Sequence, residues 1–235
     1  MLNFEIIGQG ATTKIYRDGT TAIKLYENAP LNEAENEAER QRFALNAGLP
    51  VPAVFGVRRL ENGNVALDME YINGKPFFCI DTLVEWQCRV HQVNASGLPR
   101  QTQRLSDRIK HTPLLNDENK NCLLTLLSKL DTGGENLCHG DFHPLNILYD
   151  GEKHWIIDWV DATAGNPFAD VCRTYLIFKQ HMTDSAGIYL KAFCDKANAK
   201  QADILAWLPI VAVGRLYENL DDKAQAFLLE QIELC

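Results

Sequence analysis

The sequence predicts an α+β protein of two lobes: a small lobe built on an antiparallel β-sheet with one helix, and a larger, mostly helical lobe. Three observations carry this. Short β-prone runs alternate with turns in the first part of the chain and enclose a single helical stretch. A Gly- and Pro-bearing linker, Asn73-Gly74-Lys75-Pro76, follows. Beyond it, apolar residues recur at three- and four-residue spacing. The lobes so defined cover residues 1–72 and 73–235.

Phe4–Ile7 is an apolar run closed by Gly8 and Gly10. Lys14–Arg17 and Thr21–Tyr26 flank Asp18-Gly19, and an Asp-Gly pair between two β-prone runs is a strong hairpin signal. Leu31–Ala47 is rich in Glu, Ala, Arg and Gln, lacks Gly and Pro, and is followed by Gly48, which suits a helix C-cap. Leu49-Pro50-Val51-Pro52 cannot be helix interior. Ala53–Arg58 and Asn64–Tyr71 read as two further strands around Glu61-Asn62-Gly63. Helices are expected over Thr82–Asn94, Gln101–Lys110 and Asp117–Leu130, then a loop over Cys138–Asn146. Two short strands, Ile147–Tyr149 and Trp155–Ile157, turn at Asp150-Gly151. Phe168–Lys179, Ser185–Lys196, Ala202–Tyr217 and Asp222–Leu234 complete the helical lobe.

The composition narrows the function classes. Of 235 residues, 46% are hydrophobic and 23% charged, which excludes a disordered chain. The balance of 23 basic against 31 acidic residues gives a net charge of −8 and argues against a basic nucleic-acid-binding face. The seven cysteines are widely spaced with no C-x-x-C pair, so reduced thiols rather than a disulfide framework or zinc ribbon are expected. The N-terminus has no basic, apolar signal pattern, and no apolar run is long enough to span a bilayer, so a cytoplasmic protein free of membrane is the expectation.

The densest chemistry is His139-Gly140-Asp141-Phe142-His143-Pro144-Leu145-Asn146, followed twelve residues after Asn146 by Asp158 at the end of an apolar run. Phosphoryl transfer asks little covalent chemistry of a protein. It needs a carboxylate to orient and deprotonate a hydroxyl, and oxygen ligands for Mg²⁺ on the phosphates. Asp141 suits the first duty; Asn146 and Asp158 are hard oxygen donors of the kind Mg²⁺ takes. Upstream, Lys24 interrupts the apolar strand Ala22-Ile23-Lys24-Leu25-Tyr26, where an ammonium needs a reason to be, and a phosphate is one. His139, Asp141 and His143 at alternate positions also suggest a transition-metal site, but further ligands at fitting spacing are missing.

The segment HGDFHPLNIL, with IIDWVDATAGNPFADV after it, resembles the signature of the aminoglycoside phosphotransferase/choline kinase family, and the likeness runs over nearly the whole chain. The resemblance implies a protein-kinase-like fold, ATP as co-substrate and Mg²⁺ as metal. It implies Asp141 as catalytic base, Asn146 and Asp158 as metal ligands, and His139 and Asp170 as braces of the catalytic loop. Asp161 matches an acidic position common in these enzymes, for a supporting or outer metal contact. Lys24 would hold phosphates and pair with a helix glutamate, Glu37 or its rival Glu33. Gly8 and Gly10 would form a partial Gly-rich loop, with Thr13 where protein kinases carry a third glycine. Backbone groups of Glu70 and Ile72 would meet the adenine edge, and His91 would be structural.

Two other readings stay open: a nucleotide-binding pseudokinase, and a Ser/Thr protein kinase. Against the second, Asp158 is followed by Trp159 rather than Phe-Gly, and Asn166-Pro167-Phe168 leads straight towards a helix with little room for an activation segment. The expected partner is therefore a small molecule with a hydroxyl, of the aminoglycoside, amino alcohol or sugar class. The acidic set Glu218, Asp221, Asp222, Glu230 and Glu233 offers a wall for a cationic acceptor, or simply the polar face of two amphipathic helices.

Overall fold

Strand alternation decides the first part of the chain. In the computed structural model, which describes residues 5–9, 13–218 and 220–232, β1 (Glu5–Gln9), β2 (Thr13–Asp18) and β3 (Thr21–Tyr26) form a meander. The helix α1 (Leu31–Asn46) follows, then β4 (Val54–Arg59) and β5 (Val65–Glu70). Among the described residues these strands make an antiparallel sheet in the order β1-β2-β3-β5-β4. Ala22, Lys24 and Tyr26 share one face of β3, and their register partners are Met69, Leu67 and Val65 of β5. Ala34 and Ala38 of α1 pack against that face with these residues, their small side chains letting the helix lie close to the sheet.

Lys75–Pro76, expected as linker, is a short strand, β6. It is the edge of a second sheet with β8 (Ile147–Tyr149) and β9 (His154–Ile156), after β7 (Asn136–Cys138) in chain order. Proline is tolerated at such an edge because it need not donate to the ladder. This pairing governs how the chain divides. One compact unit comprises 1–78 with 144–161, the other 79–143 with 162–235. The expected lobes at 1–72 and 73–235 keep 144–161 with the helical part. In the structure β8 pairs with β6, and the Ile156 N–H donates to the Pro50 carbonyl at 2.8 Å, which ties that segment to the first unit.

The second unit opens with α2 (Ile80–His91), α3 (Gln101–His111) and α4 (Asp117–Leu130). β7 pairs with β10 (Thr163–Gly165), a pair the sequence reading leaves as loop because three residues show no alternation. β10 delivers the chain to α5 (Pro167–His181), which starts cleanly: Asn166 caps it by accepting from the Phe168 N–H at 2.8 Å, and Pro167 occupies the first turn. α5 packs on α6 (Thr183–Ala197), α7 (Gln201–Leu205) and α8 (Leu208–Arg215), and Phe178 stacks on Tyr189 with ring centroids 5.2 Å apart. The single helix expected over Ala202–Tyr217 is thus two. Pro209 cannot donate within a helix but fits the first turn of a new one, and the buried Trp207 sits at the break. α9 (Asp222–Glu230) follows.

No helix of the described residues is long and apolar enough to cross a membrane. Cys79, Cys88, Cys138, Cys172 and Cys194 are free thiols as expected; Cys122 departs from the expectation and is disulfide-bonded.

Candidate active site

In the first unit the chemistry gathers around Lys24. Its position on the core face of β3 buries the side chain, which is 6% exposed. A buried ammonium needs counter-charges, and α1 supplies one. Ala34, Glu37, Ala38 and Gln41 form its buried stripe, at the three- and four-residue spacing of one helix face. Glu33, Glu35 and Glu39 fall on the exposed side. Helix phase therefore selects Glu37 over Glu33. Lys24 Nζ donates to both Glu37 oxygens, at 2.8 and 2.9 Å, and the Tyr26 hydroxyl donates to Oε2. The third proton of the ammonium goes to Asp158 Oδ1 at 2.8 Å. Burial alone would lower the Lys24 pKa, but Glu37 and Asp158 more than reverse it and hold the group above its usual range. Burial, with Glu37 beside it, pushes the Tyr26 phenol up.

Asp158 lies two residues beyond β9 with φ +66°, a left-handed conformation uncommon for a residue with a side chain. Asn146 is buried and closes a short 3₁₀ turn over Pro144–Asn146. Its carbonyl accepts from the Ile157 N–H at 3.0 Å, so the backbone next to Asp158 runs beside Asn146. The two side chains offer hard oxygen donors from adjoining segments, and this donor set fits Mg²⁺, which keeps most of its waters and takes one or two protein ligands. Among the described residues no group of three or more His, Cys, Asp or Glu side chains is placed to hold a metal ion, so the alternating His139-Asp141-His143 does not form a transition-metal cluster. Asp161 is half-buried in the turn after Val160, whose carbonyl accepts from Arg40 of α1.

Gly8 lies within β1 next to a register shift, and a Cβ there would meet Ile15 only at 3.5 Å; Gly10 lies outside the described residues. At the end of β5, the Glu70 N–H donates to the Ala53 carbonyl at 2.8 Å and its carboxylate accepts from the Ala53 N–H at 3.1 Å. Ile72 is half-buried just beyond Glu70.

The second unit carries Asp141. β7 ends at Cys138, and α5 starts two residues after its partner β10, so the first turns of α5 lie against the loop that follows β7. Asp170, Arg173 and Thr174, at helical spacing i, i+3 and i+4, read that loop in order. Asp170 Oδ1 accepts from the Gly140 N–H at 2.7 Å, Arg173 Nη2 donates to Asp141 Oδ1 at 3.2 Å, and the Thr174 hydroxyl donates to the Phe142 carbonyl at 2.8 Å. Asp170 is fully buried and also meets His91 Nε2 at 2.9 Å. Its burial works to raise its pKa, but His91, His139 and the Gly140 N–H outweigh that and keep the carboxyl below its usual range. His139 is buried, with Nδ1 accepting from the Asp141 N–H at 3.2 Å. Asp141 Oδ2 contacts His143 Nε2 at 3.2 Å. Burial pushes the Asp141 carboxyl up, yet His143 and Arg173 together hold it well below the usual carboxylate range.

Among the described residues, Glu218 and Asp221 of the acidic set have partners within the protein. Glu218 is occupied by Arg173 Nη1 at 2.7 Å and by Arg215 Nη2 at 3.1 Å. Asp221 caps α9 by accepting from the Ala224 N–H at 2.7 Å, Asp222 and Glu230 are exposed, and Glu233 lies outside the described residues. The sequence reading misses Arg173 and Arg215 altogether and considers His143 only as a metal ligand. The signal for Arg173 is its position three residues after Asp170, on the same helix face.

The fold is that of kinase-like phosphotransferases, as the sequence predicts. The chain is similar to a thermostable mutant of aminoglycoside phosphotransferase APH(4)-Ia in ternary complex with ADP and hygromycin B, at 15% identity over 98% of this chain and 93% of that one, with a TM-score of 0.71. It is similar to a choline/ethanolamine kinase family protein from Mesorhizobium loti, at 18% identity over 97% and 85%, TM-score 0.65. A third is wild-type aminoglycoside 2'-phosphotransferase-IIIa in its GDP complex, at 17% identity over 98% and 91%, TM-score 0.65. At these identities the likeness is one of fold. No curated protein matches the sequence. Residues 3–203 match the phosphotransferase enzyme family, and the chain belongs to that family.

Proposed function

We propose that the protein transfers the γ-phosphoryl group of ATP to a hydroxyl of a small molecule, with Asp141 as the base and Mg²⁺ as the metal. The observation that carries this reading is the buried Lys24, shared between Glu37 and Asp158 at 2.8 Å each. A lysine so held keeps a positive charge in place for phosphates, to which it would turn a proton now given to Asp158, and fixed charge of this kind stabilises a transferring phosphoryl group.

Each remaining residue has a chemical duty in this reading. Asn146 and Asp158 would hold Mg²⁺, which when bound neutralises charge on the phosphate oxygens. Asp141, kept ionised by its neighbours, orients the acceptor hydroxyl and takes its proton. His139 and Asp170 hold the backbone on either side of Gly140 and so fix where Asp141 stands. Gly8 and Gly10 would offer backbone N–H groups to phosphates, and the Glu70 carbonyl and Ile72 N–H would face the adenine. Asp161 would support the metal ligands from the turn beyond Asp158.

For the acceptor we favour the aminoglycoside, amino alcohol or sugar class. Solved structures of this fold include complexes with hygromycin B and with kanamycin, and a choline/ethanolamine kinase family protein. Glu218, already spent on two arginines, lends a cationic acceptor no support. The test is ADP release from Mg²⁺ and ATP, with GTP alongside, across a library of hydroxylated compounds. Turnover is expected with a subset of them and is expected to vanish in Asp141→Ala and Asp158→Ala while circular dichroism stays native. Turnover unchanged in both variants would sink the reading.

A further inference from the structure

Three residues of α5 touch the loop that carries Asp141, and they do different things. Asp170 and Thr174 hold backbone groups, the Gly140 N–H and the Phe142 carbonyl. Arg173 alone among them holds the Asp141 side chain. We propose that Arg173 is a positioning residue for Asp141 and that Glu218 keeps Arg173 at that task, an inference resting on Asp141 being the base.

The reason lies in the torsional freedom of a carboxylate. The χ2 torsion of aspartate is broad and two-fold, so one contact leaves the carboxylate plane loosely defined. Here both oxygens are engaged: Oδ2 by His143 Nε2 and Oδ1 by Arg173 Nη2, each at 3.2 Å. An ionised carboxylate accepts through both oxygens, and a contact on each of them fixes the plane in which Asp141 meets a hydroxyl.

Arginine has a long, flexible stem and needs fixing in turn. Its other terminal nitrogen, Nη1, donates to Glu218 Oε1 at 2.7 Å. Glu218 is braced by Arg215, whose Nε and Nη2 reach Oε2 at 3.2 and 3.1 Å and whose side chain is buried. The charges alternate along this line: Asp141, Arg173, Glu218, Arg215. Its outer two members lie past residue 203, where the match to the family ends.

The arrangement also defines how Asp141 works. A general base is strongest when its pKa lies near the working pH. A carboxylate held by Arg173 and His143, with His139 and Arg215 near, is a weak base and a good hydrogen-bond acceptor. Its work is to aim the hydroxyl, with proton transfer late, as a loose phosphoryl-transfer transition state permits.

The test uses the full-length protein carrying [¹³C]aspartate. The Asp141 carboxyl signal, assigned by its loss in Asp141→Asn, is expected to titrate at higher pH in Arg173→Ala than in the unsubstituted protein. With an acceptor found in the library above, kcat for Mg·ATP turnover is expected to fall ten- to a hundredfold in Arg173→Ala, with KM for ATP within twofold. Methylguanidine is expected to restore part of that turnover and none to Asp141→Asn. Glu218→Gln, which leaves both arginines in place, is expected to lose kcat several-fold, and Arg173→Ala/Glu218→Gln to be no worse than Arg173→Ala. A carboxyl signal that does not move in Arg173→Ala overturns the inference, as does an unchanged kcat in Glu218→Gln should Arg173→Ala fail to fold. A signal that moves while turnover does not overturns instead the assignment of Asp141 as the base.

Discussion

Lys24 and Asp158 stand 134 positions apart in the sequence and meet at 2.8 Å, Nζ to Oδ1. The contact joins the centre of a sheet to the turn beyond a separate hairpin. It also gives Lys24 a second carboxylate beside Glu37, which itself accepts from the Tyr26 hydroxyl as well.

Removing the lysine should cost both stability and turnover. Lys24→Met leaves Glu37, 1% exposed, with its charge uncompensated. Breaking a buried pair in this way costs about 3–5 kcal/mol. Urea denaturation at pH 7 should show a loss in that range. Lys24→Met/Glu37→Leu should recover much of the stability and none of the turnover, since an apolar pair tolerates burial but cannot hold phosphate.

The left-handed backbone at Asp158 makes a separate prediction. Alanine there loses the carboxylate and meets the left-handed penalty of roughly 1–2 kcal/mol; glycine loses the carboxylate and avoids the penalty. Thermal unfolding should therefore rank Asp158→Gly above Asp158→Ala by about 1 kcal/mol, and both should lack Mg·ATP turnover. Equal stability of the two would show that the conformation is not retained.

Acid should act through Asp170 and Asp141. Both carboxyls are held below their usual range in the folded protein. A group whose folded pKa is depressed contributes stability above its unfolded value, roughly 3.9 for aspartate, and loses it as the pH falls through the folded value. Urea midpoints should hold at pH 7 and fall steadily below about pH 4. Asp170→Asn should cost about 1–3 kcal/mol at pH 7 and should flatten the fall below that point, because it removes one of the groups that must take up a proton.

The thiols should differ sharply in reactivity. Cys79, at the start of α2, has its pKa lowered by the neighbouring Thr82 amide and hydroxyl. Burial raises Cys138 and Cys172 well above the ordinary thiol range. Iodoacetamide at pH 7.5, followed by peptide mass mapping, should label Cys79 first and reach Cys138 and Cys172 only after denaturation, since the thiolate is the nucleophile.

How much of this was legible in the sequence depends on how far each feature reaches. β3 and α4 appear with the expected ends because alternation and a capped, periodic helix are local signals. Lys24 was legible as a charge in an apolar strand. Its partner was half legible: four glutamates in α1 look alike until Ala34 and Ala38 fix which side of the helix faces the sheet. β7, β10 and the break between α7 and α8 were not legible, since three-residue strands have no period and a proline starting a helix resembles one inside it. The Arg173–Glu218 contact spans 45 residues and two elements. Nothing local announces it, although helical spacing from Asp170 would have placed Arg173 beside the loop.

The three-stranded sheet that ties 144–161 to 1–78 has a consequence in time. A ribosome adds roughly 5–20 residues per second, so Asp158 emerges about 7–27 s after Lys24. From the completion of β5 at Glu70 until then, β1–β5 and α1 are complete as chain, while the ammonium at their centre has Glu37 but not Asp158 as a partner. The nascent first unit must wait for residues 79–143 of the second to be made before Asp158 can reach its lysine.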